Sequence, residues 1–174
     1  KNISQGQKTE ELEKKIAEIL NVPYVVLCNS GSSSLLMSLM ALNIKNGDEV
    51  IIPNRTWIAT AHAILLSGGK PVIVDVETDT PLMSLKKMAK KINKKTKAIM
   101  PVHLNGRYLD IRKINEMINR KSIKIIEDAC QAFLSKDGQR YIGTEGDVGC
   151  FSLGMTKLIS SGQGGFAVTK NKIL

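Results

Sequence analysis

Gly149-Cys-Phe-Ser-Leu-Gly-Met-Thr-Lys-Leu-Ile-Ser-Ser-Gly-Gln-Gly-Gly165 is the stretch around which the rest of the chain is organised. It reads as a strand from Asp147 to Leu153, a polar turn carrying Lys157, and a glycine-rich return at Ser160-Ser-Gly-Gln-Gly-Gly165. A lysine so placed stands at the end of a sheet, where backbone approaches a ligand closely and an amine can form a Schiff base. A solvated surface lysine is by far the commoner fate in a chain with 25 Lys and Arg residues, and the stretch alone does not overturn that reading. Other segments decide between the two.

Outward from this stretch, apolar runs and amphipathic segments alternate. Helical periodicity covers Thr9 to Leu20, with Leu12, Ile16, Ile19 and Leu20 on one face. Tyr24-Val-Val-Leu-Cys28 reads as a short buried strand, and Leu35 to Leu42 as a buried helix. Further strands are expected at Glu49 to Pro53, Lys70 to Asp75, Lys97 to His103, Ser122 to Asp128 and Gly165 to Thr169. Helices are expected up to Ser67, from Ser84 to Asn93, and over Ile111, Ile114, Met117 and Ile118 as an inner face; Lys136-Asp-Gly-Gln reads as a hairpin turn. Strands alternating with helices predict a three-layer αβα fold with a mostly parallel central sheet.

Composition narrows the function classes. A hydrophobic share of 43% and a charged share of 24% are those of a globular domain, and no run of about 18 apolar residues offers a membrane span. Three cysteines without Cys-x-x-Cys spacing and two histidines do not make a zinc site or a disulfide framework, so no metal is expected. The net charge of +9 invites nucleic acid. However, Lys86, Lys87, Lys90, Lys91, Lys94, Lys95 and Lys97 lie opposite Leu85, Met88, Ala89 and Ile92, as a solvated helix face does. With aromatics at 4% and not interleaved, base stacking has no platform, and no nucleic-acid partner is expected. Lys1 is not a natural start and no signal pattern follows it, so the chain reads as a fragment of a cytoplasmic protein, one domain over residues 1–174.

The expected strand ends carry the chemistry. Asn29-Ser-Gly-Ser-Ser-Ser34 between a strand and a helix makes an anion site from N–H groups, helix dipole and hydroxyls, or else Ser32 or Ser33 simply caps the helix. Trp57 stands where the chain leaves a strand, as a core anchor or as a cover for a flat ring. Glu127 and Asp128 end a strand and alternate in facing, so one of them reaches a ligand, with Gln131 close by. Ser32, Ser33, Trp57, Asp128, Gln131, Ser152 and Lys157 together match pyridoxal 5'-phosphate: donors for its phosphate, an amine for its aldehyde, a carboxylate for its pyridinium nitrogen.

The motifs, in order, resemble the DegT/DnrJ/StrS family of sugar-nucleotide aminotransferases. They are Ser30-Gly-Ser-Ser-Ser-Leu35, Gly47-Asp-Glu-Val-Ile-Ile-Pro53, Thr56-Trp-Ile-Ala-Thr60, Pro101-Val-His-Leu-Asn-Gly106, Ile126-Glu-Asp-Ala-Cys-Gln131, Gly146-Asp-Val-Gly-Cys-Phe-Ser152, and Lys157 through Gly165. The resemblance implies the large domain of an aspartate-aminotransferase-like (type I) fold, lacking the extreme N-terminus and the small C-terminal domain. It also implies a homodimer with shared active sites. Lys157 takes the position of the Schiff-base lysine, Asp128 that of the pyridinium partner, and Gln131 that of the amide near the phenolic oxygen. Ser152, with backbone around Ser32 and Ser33, falls where the phosphate is held, and Trp57 matches the aromatic stacked on the ring.

The implied activity is amino transfer from L-glutamate to a nucleotide-linked keto-deoxysugar. His103-Leu-Asn-Gly-Arg107 and Thr56-Trp-Ile-Ala most resemble the perosamine-synthase-like subgroup, which aminates a GDP-linked 4-keto-6-deoxy sugar. Sugar 3-dehydratases resemble the chain too but carry histidine at the lysine position, so Lys157 argues against that activity. A catalytically inactive remnant of the fold is a further alternative. A dinucleotide-binding module would need Gly-x-Gly-x-x-Gly where the chain has one glycine, Gly31. Three departures stand out: Ser32 where the family often has threonine, which retains the hydroxyl, Gln163 where it usually has glutamate, and Phe133-Leu134 where a His-Gly pair is common.

Overall fold

Side chains alternate across a strand, so a sheet covered on both faces must supply two apolar sets from the same residues. The computed structural model describes residues 6–118 and 122–174, and it shows this division. Val50, Ile52, Ala98, Met100, Ile126, Val148 and Cys150 pack with Leu35, Leu39, Ala63 and Ile64. The intervening Ile51, Ile99 and Ile125 pack instead with Met83, Met88, Ile111 and Ile114. A third cluster joins Ile16 and Leu20 to Phe151, Phe166 and Val168.

In chain order the elements are α1 (Gln7–Leu20), β1 (Tyr24–Cys28), α2 (Gly31–Ala41), β2 (Glu49–Pro53), α3 (Ile58–Leu66), β3 (Lys70–Val74), α4 (Leu85–Lys91) and β4 (Thr96–Ile99). A short 3-10 turn at Leu104–Gly106 leads to α5 (Ile111–Met117), β5 (Lys124–Asp128), β6 (Lys136–Asp137), β7 (Arg140–Tyr141), β8 (Val148–Ser152) and β9 (Gly165–Thr169). The main sheet has the order β1-β9-β8-β5-β4-β2-β3, and β6 and β7 form a separate hairpin. From β3 to β8 the neighbours are parallel. Among the described strands of this sheet only β9 runs against the rest, pairing antiparallel with both β8 and β1. Helices α2 and α3 cover one face; α1, α4 and α5 cover the other. The mostly parallel three-layer architecture expected from the sequence is therefore present.

Five local expectations need correction. Lys94, Lys95 and Lys97 do not share a helix face with Lys86, Lys87, Lys90 and Lys91, because α4 ends at Lys91 and Lys97 belongs to β4. Strand β1 is not buried: it is the sheet's edge, with Val26 50% exposed. Helix α2 begins at Gly31 rather than Leu35, because Ser30 is its N-cap and accepts the Ser33 N–H at 3.1 Å. Strand β4 stops at Ile99, just ahead of Pro101, which has no N–H for a ladder. Met117 is not on the inner face of α5 but 43% exposed.

The two Phe133-Leu134 substitutions have different physical readings. Phe133 sets its edge against Phe151 (centroids 5.8 Å, interplanar 69°) and Phe166 (5.0 Å, 74°), which themselves stack at 4.6 Å. It extends the aromatic cluster under β8 and β9. Leu134 has φ 66, the left-handed region that a Cβ disfavours and glycine tolerates. Replacing Leu134 with glycine is expected to raise stability by up to about 1 kcal/mol, since strain is relieved and a partly exposed side chain loses little packing. By contrast, Phe166→Ala is expected to cost about 3–5 kcal/mol, because Phe166 is wholly buried. Chemical denaturation monitored by circular dichroism measures both.

Candidate active site

Parallel strands deliver their carboxyl ends to one rim, and the loops there enclose a hollow of about 260 Å³. Its walls include Ser32, Trp57, Asp128, Gln131, Ser152 and Lys157, drawn from five separate segments of the chain. A second hollow of about 360 Å³ adjoins it, sharing Cys130, Gln131, Ser152, Thr156 and Lys157. Six of the seven residues singled out in the sequence therefore meet at one place. Ser33 does not: its N–H goes to Ser30 Oγ (3.1 Å) and its hydroxyl donates to Asn29 Oδ1 (2.5 Å). Neither Ser32 nor Ser33 is the helix cap, since that role belongs to Ser30.

The start of α2 is seated by close backbone approach. A Cβ on Gly31 would lie 2.8 Å from both Cys130 Sγ and Ser152 Cβ, and one on Gly165 only 2.4 Å from the Ser30 carbonyl carbon. Glycine at these two positions lets the helix start press against β8 and β9. With the Ser33 N–H taken by Ser30, the Ser32 N–H is left without an acceptor among the described residues. An unpaired N–H with the positive end of a helix dipole suits an anion. Ser152, the last residue of β8, abuts the same point.

Asp128 closes β5 and is 5% exposed. Thr60 Oγ1–H donates to its Oδ2 at 2.8 Å, and the Cys130 N–H donates to Oδ1 at 3.2 Å. Thr56 Oγ1 lies 2.7 Å from Thr60 Oγ1, so a short hydroxyl relay runs from the hollow to the carboxylate. Thr60 is wholly buried, and sequence reasoning passed over it. The available signal was a hydroxyl residue on the same helical face as Ala63 and Ile64. Glu127 points to the opposite side of β5, where it is also wholly buried. The expected division of the acidic pair between two faces is what the structure shows.

Lys157 lies half-buried in the turn after β8, its N–H bonded to the Gly154 carbonyl at 2.9 Å. Trp57 caps the start of α3 and is 72% exposed, so it is not a core anchor. Gln131 Oε1 accepts the Asn105 N–H at 3.0 Å. Burial pushes the Cys130 thiol well up, and the negative charge of Asp128 adds to this, while Lys157 pulls the other way. Cys150, behind it in the core, is pushed up to about 12, chiefly by burial.

This donor set fits pyridoxal phosphate: an amine, a buried carboxylate and an anion-ready helix start share one hollow beside an exposed indole. Comparison with known proteins agrees with that chemistry. The family model of the DegT/DnrJ/EryC1/StrS aminotransferase family matches residues 1–174. The GDP-perosamine synthase of Escherichia coli O157:H7 is 41% identical over 171 residues, 98% of this chain and 47% of that protein. A putative sugar aminotransferase from Streptococcus pneumoniae, solved in its PLP form, superposes with a TM-score of 0.92 at 30% identity, covering 98% of this chain and 47% of the other. The E. coli GDP-4-keto-6-deoxy-D-mannose-3-dehydratase with bound hydrated PLP also superposes at 0.92, with 28% identity over 97% of this chain and 45% of that one. This chain spans about half the length of the relatives it matches.

Two substitutions test the electrostatics of the hollow. Thr60→Val leaves a buried carboxylate oxygen without its donor and is expected to cost about 1–3 kcal/mol in denaturant unfolding. Asp128→Asn removes one of the causes holding the Cys130 thiol up. Its pKa then falls, the thiolate fraction at fixed pH rises, and Cys130 alkylation by iodoacetamide at pH 8 becomes faster. Mass spectrometry of the peptide containing Cys130 follows that rate.

Proposed function

This chain belongs to the DegT/DnrJ/EryC1/StrS aminotransferase family, and from that premise we propose that it forms the cofactor-binding half of a pyridoxal-phosphate-dependent sugar-nucleotide aminotransferase. The observation that carries the proposal is the meeting of Lys157 with the buried Asp128 in one hollow at the sheet's carboxyl rim. Amino transfer needs both groups at one ring. The amino donor is L-glutamate and the acceptor a nucleotide-linked keto-deoxysugar. Likeness to the GDP-perosamine synthase supports a GDP-linked 4-keto-6-deoxy sugar. The product would be an amino sugar for surface polysaccharide such as O-antigen.

Pyridoxal phosphate, when bound, supplies an aldehyde that takes up the amino group and a ring that accepts the electrons left by a departing α-proton. In this proposal Lys157 Nζ anchors the cofactor as nucleophile and, once freed, carries the proton to and from the donor's α-carbon. Asp128 keeps the ring nitrogen protonated, its own orientation fixed by Thr60 and the Cys130 N–H. Ser152 and the Ser32 end of α2 grip the phosphate, with Ser33 bracing the turn from behind. Trp57 would cover the bound ring, and Gln131 would offer its amide to an oxygen of the cofactor.

Trp57 and Leu158, which line the two hollows, are 72% and 99% exposed, and Ile58 and Met155, next in the chain to lining residues, are 59% and 82% exposed. An apolar rim of this kind supports a homodimer in which the partner covers the mouth of the site. Three unpaired cysteines suit a reducing compartment, so the proposal places the reaction in the cytoplasm. Among the described residues no helix is long and apolar enough to cross a membrane.

The test uses the full-length protein with pyridoxal phosphate, borohydride reduction and peptide mapping. The label is expected on Lys157, and a label on any other lysine overturns the assignment. Asp128→Asn should retain cofactor while turnover falls at least about a hundredfold, the scale of losing a group that stabilises developing charge. Unchanged turnover would remove Asp128 from its role. Water elimination without amino transfer would assign the protein to the 3-dehydratases instead.

A further inference from the structure

Glu127 has no part in the chemistry above, yet it is wholly buried and fully engaged. Its Oε1 accepts the Glu145 N–H at 2.7 Å and the Gly146 N–H at 2.6 Å, and its Oε2 accepts the Gly143 N–H at 3.1 Å. The fourth partner is His103 Nε2, at 2.8 Å from Oε2. His103 is itself wholly buried, and its Nδ1 accepts the Leu109 N–H at 3.2 Å. Nδ1 as acceptor places the ring proton on Nε2, aimed at Glu127. Tyr108 stacks on the imidazole at 5.9 Å and 7°.

These contacts fix the His103 ring, and the main chain of His103 is held at the same time. Its N–H reaches the Asp128 carbonyl at 3.0 Å, and its carbonyl accepts the Gly106 N–H at 3.2 Å. The turn between them puts Asn105 in the left-handed region, φ 54, and sends the Asn105 N–H to Gln131 Oε1 at 3.0 Å. Because the amide oxygen of Gln131 is occupied by a backbone donor, the group left for the hollow is its NH2. Gln131 lines both hollows beside Lys157.

We propose that Glu127, acting through His103, is a positioning residue that holds the 104–106 turn so that Gln131 presents its amide N–H to an anionic oxygen of the ligand in the hollow. The inference deepens the proposed function and rests on it for the ligand. The bracing itself is a property of the chain alone.

The experiment uses the full-length protein and two readouts. In the cofactor-free protein, His103→Phe keeps an aromatic ring but loses both side-chain bonds. Amide hydrogen exchange at Asn105 and Gly106 is expected to rise about tenfold or more, while exchange in β2 and β4 stays at the wild-type rate. In the loaded protein, His103→Phe is expected to shift the cofactor's absorption maximum in the same direction as Gln131→Ala, and Gln131→Ala added to His103→Phe should shift it little further. A merely structural role would leave the band in place. Glu127→Gln serves as the second variant, with the same expectations. Gln131→Leu in the otherwise unchanged chain must also speed exchange at Asn105, which keeps a measurement available if neither of the other variants folds. Unchanged exchange at Asn105, or a full-sized Gln131→Ala effect in the His103→Phe background, overturns the proposal. Exchange that rises as expected in a protein whose borohydride label misses Lys157 would leave the bracing intact and sink only the cofactor assignment.

Discussion

Two carboxylates side by side at the end of a buried strand are the constraint around which the rim of this protein is built. Glu127 and Asp128 leave β5 on opposite faces, and both are almost wholly buried. A buried carboxylate needs donors to converge on its oxygens, and each face has to supply its own. The answers differ. Glu127 receives three backbone N–H groups and an imidazole, so its acceptor capacity is filled. Asp128 receives one hydroxyl and one N–H, leaving lone pairs open toward the hollow. One acid ties the scaffold together, while the other keeps open acceptor capacity at the wall of the hollow.

The sequence disclosed the fold wherever apolar period and turn chemistry agreed. Glu49 to Pro53 and Gly165 to Thr169 were read with the bounds that the structure has, because short apolar runs flanked by glycine, proline or asparagine have one reading. The Lys-rich α4 was legible for a different reason: its apolar residues fall on one stripe, and Met88 is indeed buried while the lysines stay outside. Facing at β5 followed from strand alternation alone.

What stayed hidden depends on partners far away in the chain. The apolar run Tyr24 to Cys28 looks like an interior strand, yet its place in the sheet is decided by β9, and the edge leaves half of Val26 in solvent. Thr60 resembles any helix-face threonine until β5 brings Asp128 within 2.8 Å. His103 and Glu127 are 24 residues apart, and only the fold reveals that they share a proton donor and acceptor. The Ser30 cap was masked by three neighbouring serines with the same propensity, and choosing among them required the backbone.

Strand β9 is reversed, and it lies between β1 and β8. Tyr24 is therefore registered against Thr169 and Cys28 against Gly165, so β1 has no strand to pair with until β9, near the other end of the described residues, has left the ribosome. Pairings this remote in sequence close slowly, and an early strand in waiting is exposed to other chains. Among the described strands β1 is thus the one that waits longest for its sheet partner, as an unpaired edge. The turn at Ser30 and Gly31, which forms part of the wall of the hollow and is pinned by the same late strand, takes shape only when that wait ends.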